Sequence, residues 1–392
     1  MQIERLKKRI ESSHINFLFG SGLSRPYLPT LGKIENWLTE AEDVHDENVK
    51  KIISASIYIE YFNKVMLPCL PDKFAGSSDY LDVIAEYSRF LKLWNEIIAR
   101  REGKLQTKQI NVFSTNIDDF VEKTAEKNGI EFNDGFRGHL NPILKEDSFT
   151  NVVSRISPLY QNSAVVPVFN FMKLHGSINW VAGKENDILL DQSLILIQEI
   201  EKTIGTIDKA QIFSGFDEKT EFKNLKEFAE NITRAHGFSL CPSIDMFIEK
   251  YNELVMVNPR KAKFRETVLD LHFYELLRLY SNALESSSSL LFVMGFSFAD
   301  EHLAKITIRA ANSNPTLLVL VLAHSNKAKD EITNNIKKGG TIINNNVIIA
   351  SPESFIEAQQ KDIKDSMIGL SKFDFKSINT FVFEKINKLV CY

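Results

Sequence analysis

Four short polar strings, each placed where an apolar run ends, constrain this chain more than any other feature. They are Gly20-Ser21-Gly22-Leu23-Ser24, Ser114-Thr115-Asn116-Ile117-Asp118, Leu174-His175-Gly176-Ser177 and Gly295-Phe296-Ser297-Phe298-Ala299-Asp300. In an open parallel sheet, ligands bind at the carboxyl ends of the strands, so strings that are far apart in sequence converge there. Together the four strings predict one nucleotide site.

Apolar runs of strand length alternate with helical periodicity along most of the chain. The predicted strands lie at 15–19, 110–113, 165–174, 254–257, 289–294, 317–323 and 347–349. Residues 34–105 instead show a helical period with aromatic and aliphatic faces. This alternation predicts an α/β fold, namely a Rossmann-like parallel sheet with a helical insertion.

The same patterns suggest a discontinuous arrangement of domains. A Rossmann domain is predicted at 1–33 and 106–325, interrupted by the helical insertion at 34–105. A second insertion, at 181–250, mixes helices and loops without a clear sheet pattern, and residues 326–392 form a C-terminal α/β extension.

Composition excludes several classes of protein. With 392 residues, 44% of them hydrophobic, the chain can bury a sizeable core. No apolar run approaches the roughly 20 residues needed to cross a bilayer, and 15–19 is too short for a signal peptide, so we expect a cytoplasmic protein without a membrane partner. The net charge of -4 argues against direct attraction of the whole surface to nucleic acid. Cys69, Cys241 and Cys391 lack the spacing of a zinc ribbon.

The first string is rich in glycine and small hydroxyl residues. Gly20, Ser21 and Gly22 offer backbone N–H groups that a pyrophosphate can approach closely, and Ser24 adds a hydroxyl donor. The third glycine of the dinucleotide fingerprint is missing, so a tight structural turn fits the pattern equally well. Arg25 either reaches a phosphate or ribose or is a surface cation.

In content and order, the four strings resemble motifs of the sirtuin superfamily. The similarity is closest to a bacterial sirtuin-like branch, whose longer forms match at 173–180, 257–261 and 295–302, and it extends from about residue 12 to about residue 325. The resemblance implies NAD as the substrate. Deacetylase sirtuins carry a four-cysteine zinc module, which this sequence lacks, so we expect no zinc and doubt protein deacetylation.

Asn116 and His175 are the predicted catalytic residues. A neutral amide at a strand end can orient water or a ribose hydroxyl without capturing a cationic ribose carbon. The alternative for Asn116 is a cap on a helix that starts at Ile117. An imidazole can accept a proton from a ribose hydroxyl or from water, so His175 is assigned as general base; the alternative is a structural histidine.

The remaining candidates bind the nucleotide in this interpretation. Asp118 aligns with the family residue that contacts the nicotinamide amide, and Gly295 and Ser297 match the turn under the adenine ribose and phosphates. Thr115 and Asp300 complete the predicted NAD-binding set. For Asp118 the alternative is stabilisation of a helix dipole, and for Asp300 it is a helix cap.

The resemblance implies an NAD hydrolase that releases nicotinamide and ADP-ribose, depleting NAD in antiphage defence. It also implies action beside a HerA-type ATPase or another defence partner. An uncontrolled NAD hydrolase would harm its own cell, so we expect a homo-oligomer with gated activity. Three alternatives stay open: an NAD-dependent protein deacylase, a DNA-processing subunit of a HerA-type ATPase, and a non-catalytic sensor of NAD or ADP-ribose.

Overall fold

The computed structural model describes residues 1–30, 33–70, 76–101, 107–160, 162–216, 219–236, 242–257 and 271–390. The strands are β1 His14–Phe19, β2 Gln109–Ser114, β3 Phe132–Asn133, β4 Phe136–Arg137, β5 Ile143–Leu144, β6 Ser154–Ile156, β7 Ser163–Val165, β8 Val168–Lys173, β9 Gly176–Ala182, β10 Ile188–Leu190, β11 Leu254–Met256, β12 Ser289–Met294, β13 Leu318–Leu322 and β14 Val347–Ala350.

The α-helices are α1 Ile3–Ser12, α2 Ile34–Glu42, α3 Glu47–Tyr61, α4 Ser78–Ala99, α5 Phe120–Lys127, α6 Ile195–Ile204, α7 Phe222–His236, α8 Pro242–Asn252, α9 Leu271–Glu285, α10 Glu301–Ser313, α11 Asn326–Gly339, α12 Pro352–Glu357, α13 Lys361–Asp365, α14 Phe375–Ile378 and α15 Glu384–Val390. Short 3₁₀ segments lie at Ser21–Ser24, Leu67–Cys69, Glu146–Thr150, Lys184–Asn186 and Lys209–Gln211. Two π-helical segments, Phe62–Met66 and Asn379–Phe383, follow α3 and α14.

A parallel sheet forms the centre of the molecule. Within the described ranges it has seven strands in the order β14-β13-β12-β1-β2-β8-β3, all running in the same direction. The predicted Rossmann-like α/β fold is therefore confirmed. The strands of this sheet that the sequence predicted lie within three residues of their expected bounds.

Both faces of the sheet are covered by helices, because alternate residues of a buried strand point to opposite faces. On one face Phe17 stacks on Phe292, with ring centroids 5.2 Å apart, and Trp94 of α4 lies against Phe17 at 4.8 Å. On the other face Phe113 packs against Tyr280 of α9 at 4.9 Å. The predicted helical insertion thus supplies part of the main core.

A row of four asparagines, two of them buried and two partly buried, crosses the central sheet. Asn111 donates to Asn16 at 2.9 Å, Asn170 donates to Asn111 at 3.1 Å, and Asn133 donates to Asn170 at 3.4 Å. The four residues are register partners on β1, β2, β8 and β3. Side-chain amides therefore satisfy one another in an otherwise apolar interior, as buried polar groups require.

A second, antiparallel sheet lies beside the first, in the order β11-β9-β10-β5-β4. The chain passes from β8 in the parallel sheet to β9 in this one through Leu174 and His175. The prediction of no sheet pattern at 181–250 was wrong for its first residues, because β9 continues to Ala182 and β10 follows. A run of only three residues, such as β10, carries too little periodicity to be predicted as a strand.

The C-terminal segment joins the same architecture. Strand β14 pairs with β13 and forms one edge of the parallel sheet. Arg89 of α4 and Glu384 of α15 form an ion pair with the two side chains about one third exposed, 29% and 32%. The predicted boundary of a separate extension at residue 326 stays a prediction.

Across the described ranges, no helix combines the length and the apolar character that a bilayer crossing requires.

Candidate active site

The four polar strings lie side by side at the carboxyl edge of the parallel sheet. The register aligns the last residues of β12, β1, β2 and β8, which are Met294, Phe19, Ser114 and Lys173. Backbone bonds continue this alignment into the strings: Gly20 N–H donates to Met294 at 3.0 Å, and Thr115 N–H donates to Phe19 at 3.0 Å. The topology thus brings together segments that are up to about 280 residues apart, as expected for strand ends in an open α/β sheet.

The two glycine loops pack directly on each other. A Cβ atom on Gly20 would lie 2.4 Å from the Gly295 carbonyl oxygen, and one on Gly22 would lie 2.9 Å from the Gly295 Cα. Gly295 itself has a φ of +64°, a conformation that glycine adopts readily. The Gly22 N–H donates to Gly295 at 3.0 Å. The amides of Gly20 and Gly22 are therefore engaged within the protein, which supports the structural-turn alternative for those two groups.

Ser24, Asp118 and Tyr87 form a buried polar cluster behind this loop. The Ser24 hydroxyl donates to Asp118 Oδ2 at 2.8 Å and lies 3.1 Å from the Tyr87 hydroxyl. Burial raises the pKa of Asp118 above its usual range, while the charge of Lys173 and the Ser24 hydrogen bond oppose that shift. Asp118 precedes α5 by two residues, and its Oδ1 accepts the Phe120 N–H at 3.4 Å, so the helix-dipole alternative stays a prediction.

Asn116 points into the same cluster. Its Nδ2 lies 3.5 Å from both the Ser24 and the Tyr87 hydroxyls, the long limit of a hydrogen bond. Its Oδ1 is buried and accepts from none of the described residues. Helix α5 begins at Phe120 with Asp119 in the capping position, so the alternative role of Asn116 as a helix cap was wrong. A buried oxygen without a donor costs about 1–3 kcal/mol and suggests that a ligand supplies the donor.

His175 and Asp300 meet at the more exposed side of the site. His175 Nε2 lies 3.0 Å from Asp300 Oδ2, with side-chain exposures of 26% and 18%. Asp300 Oδ1 accepts the N–H groups of His302 at 2.9 Å and Leu303 at 3.1 Å. Asp300 therefore caps α10, as the alternative prediction held. Burial would raise the pKa of Asp300, but its bonds to His175 and to the two amides bring the pKa below the usual value.

Lys173 is a buried residue that contacts several neighbouring polar groups. Its ammonium group lies 2.8 Å from Glu122 Oε1, and it donates to the Ser177 hydroxyl at 2.6 Å and to the Asp118 carbonyl. Burial raises the pKa of Glu122 to about 7, although Lys173 opposes that shift. Sequence reasoning gave no role to Lys173, Glu122 or Tyr87. The sequence feature that could have indicated a role for Lys173 is its place as the last residue of an apolar strand.

The other predicted residues lie around the edge of this arrangement. Ser21 and Arg25 are exposed, whereas Thr115 and Ser297 are partly buried. The Ser297 carbonyl accepts from Asn335 at 3.0 Å. Residues 258–261, which belong to one of the longer resembling strings, lie outside the described residues.

No group of three or more histidine, cysteine, aspartate or glutamate side chains in the described ranges could hold a metal ion. Cys69 is buried with a free thiol, and Cys241 and Cys391 lie outside the described residues. The expectation of a protein without zinc stays a prediction.

The fold is that of an open α/β protein, and the strand-end strings form a candidate ligand site at the carboxyl edge of its sheet. A family model described as the SIR2-like domain matches residues 110–339, from β2 to the end of α11. The chain belongs to the SIR2-like family, whose members are NAD-dependent enzymes that use NAD as a substrate. No curated protein matches the chain. The matched range contains Asn116, His175 and Asp300, while the first glycine loop precedes it.

Proposed function

We propose that this protein hydrolyses NAD at the bond between nicotinamide and ribose, releasing nicotinamide and ADP-ribose. The observation that carries the proposal is the buried Oδ1 of Asn116, which accepts from none of the described residues at the strand-end edge of a SIR2-like fold. A carboxamide oxygen accepts hydrogen bonds from ribose hydroxyls or from water. The neighbouring Ser24 and Tyr87 hydroxyls, each 3.5 Å from Asn116 Nδ2, are also groups that can bind a nucleotide.

Each side chain has a distinct part in the proposed reaction. The electron pair of the broken bond leaves with neutral nicotinamide, and a water oxygen forms the new bond to the ribose carbon. Asn116 holds this water or the ribose hydroxyl beside it. His175 accepts the proton that the water gives up. The cluster of Ser24, Tyr87 and Asp118 fixes the Asn116 side chain from behind.

The cellular role in this proposal is antiphage defence by depletion of NAD. Support comes from the similarity of the strand-end strings to a bacterial sirtuin-like branch. An unregulated NAD hydrolase would harm its own cell, so the proposal includes a cytoplasmic homo-oligomer with gated activity. A HerA-type ATPase or another defence protein would supply the trigger.

Product analysis tests the proposal. The full chain is incubated with NAD, alone and with candidate partners, and nicotinamide and ADP-ribose are quantified. We expect both products in equal amounts without any acylated peptide. Release of nicotinamide only with an acylated peptide would instead indicate a deacylase, and NAD binding without cleavage would indicate a sensor. Cleavage of added DNA would favour the DNA-processing alternative.

A further inference from the structure

We infer that Asp300 is a positioning residue that fixes which nitrogen of His175 carries the proton. The inference rests on the proposed function for its activity measurements, but its spectroscopic test does not. Two observations carry it: the 3.0 Å contact between His175 Nε2 and Asp300 Oδ2, and the capping bonds that hold the other oxygen of Asp300.

The helix start determines where Asp300 points. Oδ1 accepts the N–H groups of His302 and Leu303, so this oxygen is held at the end of α10. The second oxygen is then directed away from the helix, towards His175. A carboxylate held through a helix N-terminus has little freedom to rotate, and the helix dipole favours its charged form.

An ionised carboxylate only accepts hydrogen bonds, so the His175 nitrogen that faces it must carry the hydrogen. This places the proton of neutral His175 on Nε2 and leaves a lone pair on Nδ1. Nδ1 is then the atom that takes the proton from water. When His175 becomes positively charged, Asp300 stabilises it without moving.

Two other titratable groups lie near Asp300, namely Tyr280 and His302. The Tyr280 hydroxyl, which faces Asp300 from α9, lies 2.7 Å from the Thr307 hydroxyl, and burial raises its pKa. His302 lies in the first turn of α10, and burial lowers its pKa, while the charge of Asp300 opposes that shift. The hydrogen bond shown at Asp300 Oδ2 is the one with His175.

Two substitutions separate positioning from helix capping. Asparagine and serine are both good capping residues. In Asp300→Asn the amide oxygen must remain at the helix, so the amide NH₂ group faces His175 and forces its proton onto Nδ1. Serine caps the helix with its hydroxyl but is too short to contact His175, and water can replace the lost carboxylate. The more conservative change should therefore be the more damaging one.

The activity arm compares NAD cleavage by the full chain and both variants. We expect Asp300→Asn to lose at least about 100-fold in kcat, and Asp300→Ser to lose less. Equal, near-normal rates in both variants would leave only the capping role. A higher KM with unchanged kcat in both would place Asp300 on the substrate and overturn the inference.

The spectroscopic arm measures the His175 tautomer directly. The chain is labelled with ¹⁵N on its 8 histidines, and His175→Gln identifies the relevant signals. At about pH 8, where an ordinary histidine is neutral, we expect a proton on Nε2 in the unmodified protein and on Nδ1 in Asp300→Asn. The same tautomer in both would refute the inference. If the unmodified protein cleaved no NAD, only the proposed function would fail, and this measurement would still decide the role of Asp300.

Asp46 provides a matched control for capping. It caps α3 in the same way, accepting from the N–H groups of Asn48 at 2.9 Å and Val49 at 3.2 Å, and it lies outside the site. Asp46→Asn should therefore change neither the rate of NAD cleavage nor the His175 signals.

Discussion

The candidate site has a buried side around Asn116 and a partly exposed side around His175, and the two differ in how their polar groups are hydrogen-bonded. Around Asn116 the side chains are buried, and one oxygen has no donor among the described residues. Around His175 the side chains are partly exposed, and Asp300 is held by three donors or partners. The buried side therefore contains an acceptor that a ligand can satisfy. On the exposed side, the carboxylate of Asp300 is already hydrogen-bonded within the protein.

This difference separates changes that affect folding from changes that do not. Changes on the buried side should alter folding free energy, because charges and amides there have no access to water. Changes on the exposed side should alter activity with little effect on folding. The following predictions test that separation, from the largest expected effect to the smallest.

Lys173→Met should destabilise the fold most, by about 3–5 kcal/mol, because it leaves buried Glu122 without its partner. Chemical unfolding measures the loss. Lys50→Met is the control, since Lys50 pairs with Glu42 at 2.9 Å and the two side chains are 26% and 37% exposed, and it should cost less than about 1 kcal/mol. Equal losses in the two variants would contradict a special role for the buried pair.

Asn116→Ala and His175→Ala should each reduce NAD hydrolysis by at least about 100-fold. Both should retain NAD binding, which titration calorimetry measures. His175→Ala should change the unfolding free energy by no more than about 0.5 kcal/mol, because the side chain is partly exposed. Normal turnover in His175→Ala would remove its assignment as general base.

Glu122 should make stability depend on pH. Its pKa of about 7 in the folded state exceeds the ordinary value of 4.5, so the folded protein binds the proton more tightly. The contribution of Glu122 to the free energy of unfolding therefore rises as the pH falls from about 7 towards about 4.5. Between about pH 8 and pH 5.5 the protein should gain roughly 2 kcal/mol relative to Glu122→Gln. Parallel pH profiles for the two proteins would show that Glu122 does not titrate there.

Tyr87→Phe should have the smallest effect. It removes one hydroxyl from the Ser24 cluster and keeps the ring, so the expected destabilisation is about 1 kcal/mol. NAD hydrolysis should fall less than in Asn116→Ala, because the Ser24 hydroxyl still faces the amide. A loss as large as that of Asn116→Ala would indicate that the Tyr87 hydroxyl contacts the substrate itself.

The central fold was predictable because strand ends, helical periodicity and the order of the strings were visible in the sequence. Individual site residues such as Asn116 and His175 could be named for the same reason. The pairing of His175 with Asp300 could not, since the two lie 125 residues apart and each has a common local role. Tyr87 was missed because it lies between core residues on α4, where its ring accounts for its presence.

The row of asparagines has a consequence for the evolution of the site. Asn16, Asn111 and Asn170 each lie three residues before the last residue of their strands, which are Phe19, Ser114 and Lys173. A slip of one residue in any strand would turn its amide to the other face and break the row. The interior of the sheet therefore sets how the three loops line up. The loop sequences at that edge can therefore change without altering how the loops are aligned.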